Sequence, residues 1–169
     1  NGLKVLDLST RFAAAWCARM LADFGADVAV RDPHALRGCG PFDSAGISIP
    51  AAVVLANKRS LELDIDNKAW KQLVGSADIV VDDARPGSSD REWIDALLAD
   101  NKHVLHVVIT AHGLTGARAE WPGNDLSASA RSGWASVNGL QGRGPLKQSG
   151  YQASYQAGTL AFATVVSAL

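Results

Sequence analysis

Cysteine is scarce in this chain of 169 residues, which holds two, Cys17 and Cys39. One falls on an apolar stretch of helical character and the other in a glycine-rich loop, so neither a disulfide framework nor a metal-ligand spacing can be drawn from them. Both are expected to be reduced thiols, in a cytoplasmic protein. His103 and His106 lie three apart in a stretch read as strand, hence on opposite faces, and no metal site is expected. An excess of one charge is lacking as well, since 16 basic and 17 acidic residues leave a net charge of -1. That balance gives no field for drawing the chain to nucleic acid or to an anionic membrane, so an anionic ligand must be held by a local group of basic residues. No basic-apolar-small leader opens the sequence, and no apolar run approaches the roughly 20 residues that cross a bilayer. Neither export nor membrane insertion is expected. Gly-x-Gly-x-x-Gly and Walker-type loops are also missing, which removes specific support for a dinucleotide or ATP site.

What is present describes one ordered domain spanning residues 1–169. Hydrophobic residues make up 47% and charged residues 20%, which can fill a core rather than remain disordered. Residues 3–8 (LKVLDL) form a short β-type run, and Ser9 or Thr10 can cap the helix that follows to about Phe24. Phe12, Trp16, Met20 and Phe24 recur every four residues as one stripe, and Gly25 stands where a left-handed cap belongs. Residues 27–31 (DVAVR) complete strand, helix and strand within about 30 residues, the length of a βαβ unit with parallel strands. The alternation continues to about residue 123, through strand candidates 60–65, 78–82 and 103–110 with helices at 67–75 and 90–100. The fold class expected is α/β, a doubly wound and mainly parallel sheet. Segment 124–169 is then helical, with helices at 126–137 and 155–169 joined by a loop of Gly139, Gly142, Gly144 and Pro145. The last helix is apolar on nearly all sides and must be buried or paired, the pattern of a fragment or of one half of a larger assembly. The tryptophans are scattered singly and are expected in cores or at a partner surface.

Six segments, taken in order, carry a resemblance: LKVLDLS (3–9), MLADFGADVAVRDP (20–33), NKRSLELDI (57–65), ADIVVDDARPG (77–87), ITAHGLTGARAEWPGNDL (109–126) and AGTLAFATVVSAL (157–169). Together they resemble the class III CoA-transferases, the group of formyl-CoA transferase, carnitine CoA-transferase and α-methylacyl-CoA racemase. The resemblance implies a Rossmann-like large domain with helices on both faces of the sheet, the family's small domain having no counterpart here. It implies coenzyme A or an acyl-CoA as ligand, no metal, and a homodimer or a second CoA-transferase module as partner.

The CoA-binding candidates are Ser9, Thr10, Arg11, Phe12, Arg31, Lys58, Arg59, Asp83, Ala84, Arg85 and Arg91. Residues 9–14 open a helix, whose amides attract phosphate without a glycine fingerprint. Lys58 and Arg59 precede a strand and read as two adjacent cations in a sheet-edge loop, suited to a 3′-phospho-ADP. Arg31, Arg37, Arg85 and Arg91 are expected in loops after strands, where ligands gather in open α/β sheets. The family usually shows Glu-Asn-Phe before Arg-Pro-Gly, whereas this chain has Asp82, Asp83 and Ala84. An amide and an aromatic face are lost there, and a carboxylate is added that repels a diphosphate by about 1 kcal/mol. Weak binding of CoA through its phosphates is the expectation, with loss of binding as the alternative.

CoA transfer between carboxylates proceeds through a mixed anhydride and a thioester, which a carboxylate nucleophile can form. In the family that aspartate stands in an Ala-Asp-x-x-x-Gly run, and alignment on Ala153 and Gly158 puts Ser154 in its place. The racemase branch uses Gly-His-Asp, matched here by Gly123, Asn124 and Asp125, and Asn124 cannot take a proton at neutral pH. Asp125 reads most simply as a helix N-cap. The expected function is a degenerate CoA-transferase module that binds CoA or acyl-CoA, or supports a competent partner module. The alternatives are an active enzyme using Asp83, Asp125 or His112, and an interaction domain that has lost the ligand.

Overall fold

The computed structural model describes residues 2–61 and 67–169. Strands and helices alternate as β1 (Lys4–Asp7), α1 (Phe12–Asp23), β2 (Asp27–Val30), α2 (Ile49–Leu55), β3 (Arg59–Ser60), α3 (Asn67–Gly75), β4 (Ile79–Asp82), α4 (Ser89–Leu98) and β5 (Leu105–Val108). There follow α5 (Asp125–Arg131), a 3-10 turn (Trp134–Val137) and α6 (Gln152–Ala168). The strands form one parallel sheet in the order β3-β2-β1-β4-β5. Chain order runs outward from β1 to β3 and then resumes on the other side at β4, so the sheet switches direction between β1 and β4. Crevices beyond the carboxyl ends of the strands at such a point are where open α/β sheets place ligands.

The expected α/β class is the observed one, and its cause is visible in β4. Ile79, Val80 and Val81 are all wholly buried, as a parallel strand covered on both faces must be. Successive side chains point to opposite faces, so Val5, Ile79 and Val81 pack with residues of α1 and α6, while Leu6 and Val80 pack with Trp70, Val74, Ile94 and Leu97 of α3 and α4.

Helix α1 uses a different face from the one its aromatic spacing suggests. Ala14, Cys17, Ala18 and Leu21 face the sheet, whereas Trp16 and Met20 are half-buried and Phe24 is 79% exposed. The reason is crowding, because α1 is sandwiched between the sheet and α6. A Cβ on Gly158 of α6 would lie 2.3 Å from the Ala13 carbonyl oxygen of α1, and Trp16 Nε1 donates across the same contact to Thr159 Oγ1 at 3.0 Å. Small residues are what let two backbones come that close.

Four further elements differ from the sequence reading. Neither Ser9 nor Thr10 caps α1, whose N-cap is Arg11 with no side-chain cap of its own. Helix α2 was not anticipated, although Ser48 caps it through the Ala51 amide and Pro50 opens its first turn. The helix expected over 126–137 ends at Arg131, and Gly133 at φ 79° turns the chain into the 3-10 segment. The strand expected over 60–65 is a two-residue β3 at Arg59–Ser60, and its remainder, 62–65, lies outside the described residues. Among the described residues no helix is long and apolar enough to cross a membrane.

Candidate active site

Two hollows meet at the first turn of α1. The larger, about 350 Å³, lies between that turn and the starts of α5 and α6, with Phe12, Cys39, Asn124, Asp125, Tyr151 and Ser154 in its wall. Phe12 stacks on Tyr151 at 4.1 Å between ring centroids, and the Tyr151 hydroxyl donates to the Gly40 carbonyl at 2.9 Å. Burial pushes the Tyr151 phenol up from its ordinary range. The stacked rings make this part of the wall apolar, and Asn124, Asp125 and Ser154 supply polar groups beside it.

Asn124, not Asp125, is the N-cap of α5. Its side-chain oxygen accepts the Ser127 amide at 3.0 Å, and its own amide donates to Ser127 Oγ at 2.8 Å. Asn124 has thus taken over the cap expected of Asp125, and the Asp125 carboxylate, 8% exposed, turns toward α6. Its Oδ1 accepts the Ser154 amide at 2.8 Å. Its Oδ2 stands 3.0 Å from the Lys147 ammonium, an ion contact without hydrogen-bond alignment, and has no hydrogen-bond partner. Asn124 and Ser154, the two positions the sequence reading singled out, consequently share one cavity with Asp125, the one carboxylate in its wall among the described residues. His112 is not in that wall, and its Nε2 lies 3.3 Å from the Pro122 carbonyl oxygen.

The second hollow is a polar cleft of about 150 Å³ beyond the ends of β1, β2 and β4, and it gathers Thr10, Arg11, Arg31, Asp83, Ala84 and Arg85. Arg11 Nη1 donates to the Gly123 carbonyl at 2.6 Å and Arg85 Nη1 to the Glu120 carbonyl at 2.9 Å. Arg31 lies over the Trp93 ring at 4.4 Å, with Nη1 3.8 Å from Asp90. Asp83 is 5% exposed. Its carboxylate accepts the Thr10 and Arg11 amides at 2.9 and 2.7 Å and the Thr10 hydroxyl at 2.9 Å. Two of the amides expected to meet a phosphate, those of Thr10 and Arg11 just before α1, are thus occupied by the chain's own carboxylate. Burial pushes Asp83 up to about 6 against the lowering effect of those donors.

The other CoA candidates are placed elsewhere. Ser9 is buried with its amide on Asp7 Oδ1 at 3.0 Å. Lys58 is not a partner of Arg59 in one cationic patch. Its ammonium points inward, 2.7 Å from Asp7 Oδ2 and 2.8 Å from the Ala15 carbonyl, with both charged side chains wholly buried. Arg59 points outward and pairs with Asp27 at 2.8 Å. An ammonium neutralised inside the fold in this way is not presented to a phosphate. Arg91 sits in the first turn of α4 rather than a loop, where Asp82 holds it at 3.0 Å and Asp95 at 2.7 Å. Among the described residues no group of three His, Cys, Asp or Glu side chains gathers as a metal site would. Cys17 and Cys39 are both unpaired, and burial, followed by the charge of Asp7, pushes the Cys17 thiol up to about 12.

A Rossmann-like parallel sheet with a ligand-sized cavity and a polar cleft at its switch point is the architecture of an α/β ligand-binding domain. The chain matches CoA-transferase family III over residues 1–169 and belongs to that family. A subunit of succinyl-CoA:(R)-benzylsuccinate CoA-transferase from Thauera aromatica is 32% identical over 98% of this chain and 43% of its own length. Succinyl-CoA:mesaconate CoA-transferase from Haloarcula hispanica is 34% identical over 87% of this chain and 41% of its own. The crystal structure of a CAIB/BAIF family protein from Brucella suis superposes with a TM-score of 0.79 at 29% identity, covering 99% of this chain and 48% of that one. The chain thus spans less than half the length of each.

Proposed function

We propose that this chain is a CoA-transferase family III module that has lost the family's covalent chemistry and serves by binding CoA or an acyl-CoA weakly, or by supporting a competent partner module. The observation that carries the reading is Ser154 in the wall of the cavity, taken with the match on Ala153 and Gly158 that sets it against the family's aspartate. In the family's cycle the carboxylate attacks the thioester carbonyl, the carbon–sulfur bond breaks, and CoA thiolate leaves an acyl anhydride. The thiolate then attacks the enzyme's carboxyl carbon and frees the acyl group as its carboxylate. Ser154 supplies no carboxyl carbon for that second attack, and a serine ester is too stable to continue. Asp125 meets Ser154 through the backbone amide, and His112 lies outside the cavity wall, so neither is placed on the Ser154 hydroxyl as a general base.

The two relatives of Thauera aromatica and Chloroflexus aurantiacus that are named as subunits support a partner, either a second copy or a second module. The two unpaired thiols support a cytoplasmic setting. An active enzyme is the second reading, favoured by Asp125, a carboxylate in the cavity wall whose buried Oδ2 is matched by the Lys147 ammonium but, among the described residues, accepts no hydrogen bond. Equilibrium titration with CoA tests the first reading. Saturable binding without turnover agrees with it, absence of binding reduces the chain to an interaction domain, and donor-dependent turnover abolished by Asp125→Asn establishes the second.

A further inference from the structure

The polar cleft already contains an anion, and it belongs to the chain. Asp83 takes the Thr10 and Arg11 amides and the Thr10 hydroxyl, in the residues that lead into the 12-residue α1, close to the helix end that attracts negative charge. Arg11, Arg31 and Arg85 stand in the same cleft wall, and each is held by a partner other than Asp83. The cleft is therefore furnished for an oxyanion at both the amide and the guanidinium side, with its central donors taken. We propose that Asp83 is a built-in competitor for the ligand's oxyanion, so that the cleft admits a phosphate-type group only when Asp83 releases the Thr10 and Arg11 donors. As a specificity-determining residue for a diphosphate ester it rests on the CoA reading above, whereas the competition itself does not.

Sharing the cleft with Asp83 are Arg11 before α1, Arg31 beyond β2, Arg85 beyond β4 and Asp90 of α4, and the charge of Asp7 on β1 also reaches it. The neighbouring Asp82 is bound by Arg91. Burial places the Asp83 titration at about 6, and a protonated carboxyl is a far weaker acceptor for amides at a helix end. Weak acid therefore loosens the competitor and leaves the donors unchanged.

Sulfate is the probe, because its charge is constant over the range that matters. With the competent fraction set by protonation of Asp83, sulfate should bind on the order of 30-fold more tightly at about pH 5 than at about pH 7.5. Asp83→Asn should bind at the higher pH as tightly as the unaltered chain does at the lower one, with little pH dependence left. Sulfate affinity independent of pH in the unaltered chain overturns the proposal, and this arm needs no variant to fold. An Asp83→Asn chain that melts normally yet binds sulfate no better at the higher pH overturns it equally. CoA titrated in parallel separates the two readings: sulfate bound and CoA refused would remove the CoA reading and leave the competition standing.

Discussion

Two charged residues adjacent in sequence, Lys58 and Arg59, have opposite energetic fates. Lys58 and Asp7 are fully buried against each other, and removing one partner strands the other charge in the core. Lys58→Met should therefore cost about 3–5 kcal/mol in urea unfolding, while Arg59→Ala, which removes an exposed pair, should cost less than about 1 kcal/mol. Equal effects would contradict the assignment of inward and outward side chains. The two adjacent cations were legible in the sequence, but the inward course of Lys58 was not, because its partners, Asp7 and the Ala15 carbonyl, come from β1 and α1. Asp83 gives a second test. Its folded carboxyl holds a proton up to about 6 where an unfolded one releases it at 3.8. The native chain then binds more protons than the unfolded chain between those values, so this residue lowers stability as pH rises through that window and has a constant effect above it. Asp83→Asn should gain stability over the unaltered chain by up to about 3 kcal/mol between about pH 4 and pH 7, read from paired urea curves. A gap that does not change with pH would show that burial is not the dominant influence on Asp83.

Among the elements, the contact of α1 with α6 fixes the larger cavity, because Phe12 and Ser154 stand on its two sides. Gly158→Ala places a Cβ against the Ala13 carbonyl and Trp16, and overpacking of that kind costs about 1–3 kcal/mol. Thermal melting of Gly158→Ala beside Ala163→Gly should show whether α6 tolerates change at the contact as it does on its outer face. Comparable losses would place the close approach elsewhere. The main strand and helix order was readable because a period of two and a period of 3.6 are distinct over four or more residues. Helix α2 escaped because IPAAVVL is a short, uncharged apolar run that a buried strand would also show, although Ser48 and Pro50 marked its start. The carboxylate that holds the approach to α1 was unreadable for another reason: Asp83 lies 72 residues beyond Arg11, and the parallel pairing of β1 with β4 brings it there.

At the scale of the whole molecule, α6 buries Gly158 and Val165 but leaves Leu160 70% and Val166 52% exposed. Sedimentation over a range of concentrations should show self-association through this face, and Leu160→Lys should reduce it. A monomer at every concentration that binds no apolar dye would contradict that. The family and its Rossmann-like frame could be read from six short segments, since they record how the chain turns and packs. The placement of Asn124, Asp125 and Ser154 around one cavity could not, because it depends on α5, α6 and α1 converging from three parts of the chain. That convergence underlies the central proposal, that the cavity persists while its covalent chemistry is gone. Intact-mass spectrometry after incubation with succinyl-CoA, with and without hydroxylamine, tests it most directly. The unaltered chain should keep its own mass in every sample, and an acyl or CoA adduct mapped to Ser154 would contradict the account.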